Sequence, residues 1–313
     1  MQPAFSVIFL TTLAGAAQGL FLALYGTEIG GLGALTQPES QQFLSTASAV
    51  ALVLTGLGLL ASFFHLGHPE RAWRSATMWR TSWLAREVIA LPLFMLGLFL
   101  YAGAHWCGLG NTKLIGAVTV LLCLALFVAT AMIYASVRFL QEWASPLTLV
   151  NYLLLGCASG LTLATLLAAS FGMMALVTPY ALAAAVLTLL AWVTRSASLV
   201  RNARLRPKST LQSAIGIKHP RIVQKAQGFM GGSFNTREFF HGRSAQLLRS
   251  VKWAFLLLVF PLPLLSLALG VNSASTALLV LAFVLQYLGL LAERWFFFAQ
   301  ANHPQNLYYQ TIS

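Results

Sequence analysis

Two short stretches of this chain hold side chains able to move protons. One is His65-Leu-Gly-His68-Pro-Glu70-Arg71-Ala-Trp73, and the other is the pair Arg86-Glu87. Histidine titrates near neutral pH and a carboxylate can take up or give a proton. Held together at a shallow apolar site, the two suit proton-coupled redox chemistry. Quinol oxidation is a reaction of this kind, because it releases protons along with electrons and needs an acceptor near a ring hydroxyl. On this reading His65 and Glu87 exchange the protons, and Arg71 stabilises charge on a ring oxygen. A plainer account stays open: Pro69 stops a helix, and the charged side chains reach from a membrane surface to water.

Those residues need elements to hold them, and composition says what kind. Only 8% of residues are charged and 58% are hydrophobic, against roughly 25% charged in soluble domains. Lipid is therefore the expected solvent. A membrane-crossing helix needs about 20 mostly apolar residues. Eight such runs are read here, at 5–25, 43–64, 88–106, 114–134, 147–167, 174–193, 253–270 and 276–292. The expected fold is an all-α, polytopic integral membrane protein with both termini on one side and a single domain over 1–313. Pro261 and Pro263 should kink the seventh span. Gln18, Asn151 and Gln286 are expected to hydrogen-bond between helices, and pairs such as Gly156 and Gly160 to mark close packing. The first run lacks a basic leader and a cleavage site, and reads as a retained helix rather than a signal peptide.

Charge then orients the bundle. Of 19 Lys and Arg residues, all but Lys113 fall on the side that holds the termini. Positive residues resist translocation, so that side is expected to be cytoplasmic. Most of them lie in the loop 195–252, whose Gly228–His241 stretch is basic, glycine-rich and aromatic. It suits a docking face for a partner or a contact with anionic lipid. The charges lie between apolar runs, which argues for membrane topology and not for a nucleic-acid groove. At the C-terminal side, Trp295 and Phe296 to Phe298 read as an interfacial aromatic belt, with Glu293 and Arg294 pairing there.

The six histidines, at 65, 68, 105, 219, 241 and 303, give no pair at mid-membrane for haem. Cys107, Cys123 and Cys157 match no zinc or iron–sulfur spacing. No metal site and no resident redox centre is expected, so electrons would pass straight to a partner.

The string His65-Leu-Gly-His-Pro-Glu-Arg71-Ala, with Glu87 at the head of the next span, resembles the membrane anchor subunit of bacterial dimethyl sulfoxide reductases. The eight-span plan fits that family over nearly the whole chain. The start Pro3-Ala-Phe-Ser-Val-Ile-Phe-Leu-Thr-Thr12, the Gly228–His241 segment and the Glu293–Tyr309 tail look most like a branch that includes the anchor of cytoplasmic sulfite dehydrogenases. The resemblance implies a bacterial inner-membrane complex of three subunits. A molybdopterin catalytic subunit and a four-cluster, ferredoxin-like iron–sulfur subunit would dock on this anchor, which would exchange electrons with menaquinone or ubiquinone. It places the family's quinone-site residues on His65, Arg71 and Glu87, and puts His68 where a serine is common. Sulfite oxidation is the expected overall reaction, with dimethyl sulfoxide reduction as the alternative. A small-molecule transporter is the reading from another class, and a purely structural anchor a third.

Overall fold

The computed structural model describes residues 1–30, 37–64, 68–206, 208–223, 225, 241–304 and 306. Eight helical segments are long and apolar enough to cross a membrane. In chain order the helices are α1 (Phe5–Gly30), α2 (Gln37–Phe63), a 3₁₀ segment (Pro69–Met78), α3 (Trp83–Trp106), α4 (Thr112–Ala135), α5 (Pro146–Ser170), α6 (Met174–Ala203), the short α7 (Leu211–Ile215), α8 (Ala245–Val259), α9 (Pro261–Asn272) and α10 (Thr276–Ala299). A helix of 24 residues such as α3 is about 36 Å long, enough to cross a hydrocarbon core of about 30 Å. Lipid satisfies no backbone hydrogen bonds, which is why the spans are helices throughout.

The seventh span is α8 followed by α9. Phe260 separates them, with Pro261 starting the second half. Proline has no amide hydrogen and clashes with the preceding turn, so the expected kink is a full break. Phe260 packs into the gap, its ring stacked on Trp192 at 5.6 Å.

The helices run further than their apolar windows, and in three of them the extension moves residues of interest. α3 starts at Trp83, five residues before the expected Val88, because Ser82 caps it by accepting from Ala85 N. Glu87 therefore lies inside the helix and not at its mouth. α6 continues to Ala203, so Arg195, expected in the loop, is a buried helical residue. α10 continues to Ala299, and Phe296, Phe297 and Phe298 are buried rather than spread at headgroup level. Phe297 and Phe298 pack with Tyr134, Trp143 and Tyr152 at the termini end, where Trp143 Nε1 donates to Phe297 O, and Phe296 packs with Phe255 in a neighbouring cluster. Met1 N donates to Ala301 O at 2.6 Å, so both ends of the described chain meet at one end of the bundle.

α1 is the central helix, packed on α2, α5, α4 and α10. Its contact with α5 is backbone to backbone. A Cβ added to Gly160 would lie 2.1 Å from Leu20 N, and one on Gly19 would lie 2.3 Å from Gly156 O. Small residues permit this approach, and van der Waals packing there replaces the hydrophobic force that lipid removes. The polar residues of the spans bridge helices as expected: Gln18 Nε2 donates to Cys123 O at 2.8 Å, Asn151 Nδ2 to Ser198 Oγ at 2.8 Å, and Gln286 Nε2 to Thr188 Oγ1 at 3.2 Å.

Gly160→Ala should therefore destabilise the bundle by about 1–3 kcal/mol, the usual cost of overpacking. Unfolding in mixed micelles measures this. Gly103→Ala, where nothing lies within 4 Å of the added carbon, should leave the midpoint unchanged.

Candidate functional site

Among the described residues, Glu87 is the one expected site residue that is buried; its exposure is 8%. It projects from α3 toward α4, where Thr130 Oγ1 donates to Glu87 Oε1 at 2.6 Å. Both residues line a cavity of about 20 Å³ walled by α1, α3, α4, α5 and α10, with Gln18, Tyr152, Ser159 and Arg294 among its polar lining. That volume admits about one water. Ligand pockets of roughly 300 Å³ and more hold organic rings, so this space as it stands admits a water and not a quinone. Glu87 does not face α2, which lends no residue to this cavity among those described.

His65 lies outside the described residues. His68 and Arg71 sit on the connection that follows it, and both are exposed. Glu70 stands between them, with His68 Nδ1 at 3.0 Å and Arg71 Nε at 3.6 Å. Exposed pairs of this kind contribute about 0–1 kcal/mol. The structure thus gathers His68 and Arg71 around Glu70, and shows no contact from either to Glu87. The 3₁₀ segment presents Trp73 and Trp79 to the exterior, with Arg74 and Arg80 over their rings, as suits a segment lying at the membrane surface. Arg86 fastens it to α3 by donating to Trp79 O and Arg80 O.

Beside the Glu87 cavity is a charged cluster that the sequence had split between a loop and an interface. Arg195 Nε on α6 lies 2.7 Å from Glu293 Oε1 on α10, and Arg294 Nη1 lies 3.4 Å from Glu293 Oε2. All three side chains are at most 5% exposed. Arg294 also lies over the Tyr152 ring, 3.5 Å from its centroid. The cluster lines a second cavity of about 10 Å³ with Asn151, Ser198, Glu142 and Arg201, and the two cavities share Tyr152 and Arg294. Buried ion pairs add little net stability, and charges at membrane depth are functional candidates by default.

The opposite end of α3 carries a second His–carboxylate site, one that hydropathy alone did not reveal. Glu28 accepts from Tyr101 Oη at 2.7 Å and from Thr112 Oγ1 at 2.5 Å, and His105 Nε2 is 3.6 Å away. Eighteen residues of helix separate Glu87 from His105, about 27 Å along the axis. A larger groove of about 380 Å³ lies at the termini end between the start of α1, α8 and α10. Phe5, Ile8, Leu247 and Trp295 form its apolar walls, with His241 and Arg243 beside them. Among the described residues no three His, Cys, Asp or Glu side chains gather as a metal site.

Eight helices able to cross a membrane among the described residues, with a carboxyl buried between them, define a polytopic membrane protein. The comparison with known proteins gives that class its name: residues 1–309 match the family model for the DMSO reductase anchor subunit (DmsC), and the chain belongs to that family. It is 53% identical to a subunit of the sulfite dehydrogenase of Allochromatium vinosum, over all of both sequences. Similarity to a component of the anaerobic dimethyl sulfoxide reductase of Haemophilus influenzae is more distant, 28% identity over 50% of this sequence and 56% of that one. The protein is accordingly a multi-pass membrane protein of the anchor class.

Glu293→Met should destabilise the bundle by about 3–5 kcal/mol, because it strands the Arg195 and Arg294 guanidinium groups in an apolar setting. Arg195→Met should cost less, because Arg294 stays beside the Glu293 carboxylate. The unfolding midpoints of the two variants in mixed micelles measure the difference.

Proposed function

We propose that this chain is the quinone-reactive anchor of a three-subunit oxidoreductase, passing electrons between membrane quinone and an iron–sulfur subunit that serves a molybdopterin catalytic subunit. Sulfite oxidation is the overall reaction we favour, on the ground of the full-length 53% identity to a sulfite dehydrogenase subunit. Dimethyl sulfoxide reduction remains the second choice, supported by the shorter match. The matched family is one of oxidoreductase anchors, so the transporter reading is not carried forward.

The observation that carries the proposal is Glu87: a buried carboxyl, hydrogen-bonded by one threonine, beside a water-sized cavity near one membrane face. Such a group can exchange a proton with a reacting ring oxygen while lipid and protein exclude bulk water. The ring lies at the hairpin between α2 and α3, where His65 exchanges the other proton and Arg71 stabilises negative charge on the ring oxygen. His68 gives the site a further imidazole. In the oxidising direction for sulfite, two electrons arrive from the partner's cluster, and quinone takes up two protons to become quinol. By the distribution of Lys and Arg, the site, the basic loop and both termini face the cytoplasm of the bacterial inner membrane. Protons are then taken from the same side on which the partners dock.

One observation favours another seat for the ring. The groove of about 380 Å³ is large enough for a quinone head and part of its tail, and borders the same stretches of α1 and α10 that wall the Glu87 cavity. A photoreactive quinone analogue separates the two seats. Adducts within 65–87 support the hairpin, and adducts on Phe5, Leu247 or Trp295 support the groove.

Glu87→Gln should lower quinone-coupled turnover of the assembled complex by about 100-fold or more, with dye-coupled turnover at the catalytic subunit unchanged. Normal quinone-coupled rates in this variant and in His65→Arg would refute the assignment.

A further inference from the structure

We propose that a proton path joins the aqueous surface at Glu142, Arg201 and Asn202 to Glu87, through the two small cavities that meet at Tyr152 and Arg294. It rests on the reading of Glu87 as the group that exchanges protons with quinone.

The outer cavity, about 10 Å³, has the half-exposed Glu142, Arg201 and Asn202 at one end and the buried Arg195 and Glu293 at the other. Arg195 Nη2 and Glu293 Oε2 are buried with no hydrogen-bond partner among the described residues. Buried polar atoms of this kind are usually satisfied by ordered water. Their position on the cavity wall, with Ser198 and Asn151 opposite, gives a water there several partners. The inner cavity, about 20 Å³, offers a second water site between Tyr152, Gln18 and Glu87.

Only Tyr152 and Arg294 belong to both linings. Arginine stays protonated and can hold water but not release a proton. A phenol hydroxyl both donates and accepts, so Tyr152 is the member able to hand a proton across. Its ring is fixed between the Arg294 guanidinium and Tyr134, with which it stacks at 5.8 Å. Glu293, held between Arg195 and Arg294, keeps the arginine charges compensated and orients the outer water. For each quinone reduced by two electrons from the partner's cluster, one of the two protons enters at the surface, crosses at Tyr152 and reaches Glu87. Glu87 passes it to the ring and is reprotonated from behind, while His65 handles the other. Quinol oxidation runs the same path outward.

The test uses the complete complex with its partners in liposomes, assayed with a short-tailed quinone. Tyr152→Phe removes the hydroxyl and keeps the ring, and Ser198→Val fills the outer cavity. Each should slow quinone-coupled turnover by at least about tenfold, raise the solvent deuterium isotope effect, and be partly rescued by millimolar formic acid as a mobile proton carrier. Dye-coupled turnover should not change. If both variants run at the normal rate while Glu87→Gln is slow, the path is overturned and the Glu87 reading stands. Slow variants with an unchanged isotope effect and no rescue reveal a packing defect, and also overturn the path. Should Glu87→Gln itself be normal, the reading beneath the path falls.

Discussion

A hydrocarbon solvent offers no hydrogen bonds and almost no dielectric screening, and the arrangement of this protein follows from that constraint. Backbone groups are satisfied within helices. Side-chain amides find partners on neighbouring helices, as Gln18 does on α4 and Asn151 on α6. Among the described residues, oppositely charged buried side chains meet at two places, one toward each end of the bundle. Glu28 collects hydroxyls and an imidazole, while Glu293 collects two guanidinium groups. Glu87 differs from both, since its only described polar partner is a neutral threonine. A carboxyl without a fixed cation beside it is the one whose charge state can change at least cost to the fold.

The spans were legible in the sequence because lipid selects for uninterrupted apolar runs, and that signal is strong over about 20 residues. Their ends were not, because a hydropathy window stops at the first charge. Arg195, Glu293 and Arg294 each closed a window, yet they pair with one another inside the bundle and the helices continue past them. Charge complementarity between α6 and α10, far apart in the chain, leaves no local mark. Glu28 was missed for the same reason: its partners lie on α3 and α4. The break at Pro261 was legible, since proline acts on its own backbone. Of the expected site, the burial of Glu87 and the surface position of Arg71 and His68 are visible in the structure, while the direction in which Glu87 points depended on helix rotation that spacing does not determine.

The termini end gathers aromatic rings as well as the buried ion pairs of Arg195, Glu293 and Arg294. The aromatic cluster of Tyr134, Trp143, Tyr152, Phe297 and Phe298 closes that end with edge and stacked contacts. Such rings add large rigid area at low entropic cost. Trp143 and Tyr152 hold α10 in place, and with it the register of Glu293 and Arg294 against α5 and α6.

The glycine contacts described for α1 and α5 also have a mechanical side. With no side chain between Gly19 and Gly160, these two helices form one stiff unit. α3 and α4 form another, since Gly97 accepts Thr119 just as closely. Glu28 clasps the two units together at one face of the membrane, through Tyr101 and Thr112. Toward the other end Gln18 joins them again through Cys123 O, and Tyr134 stacks on Tyr152. The two units are thus clamped at both ends, and the small void beside Glu87 is enclosed like the gap in a closed clasp.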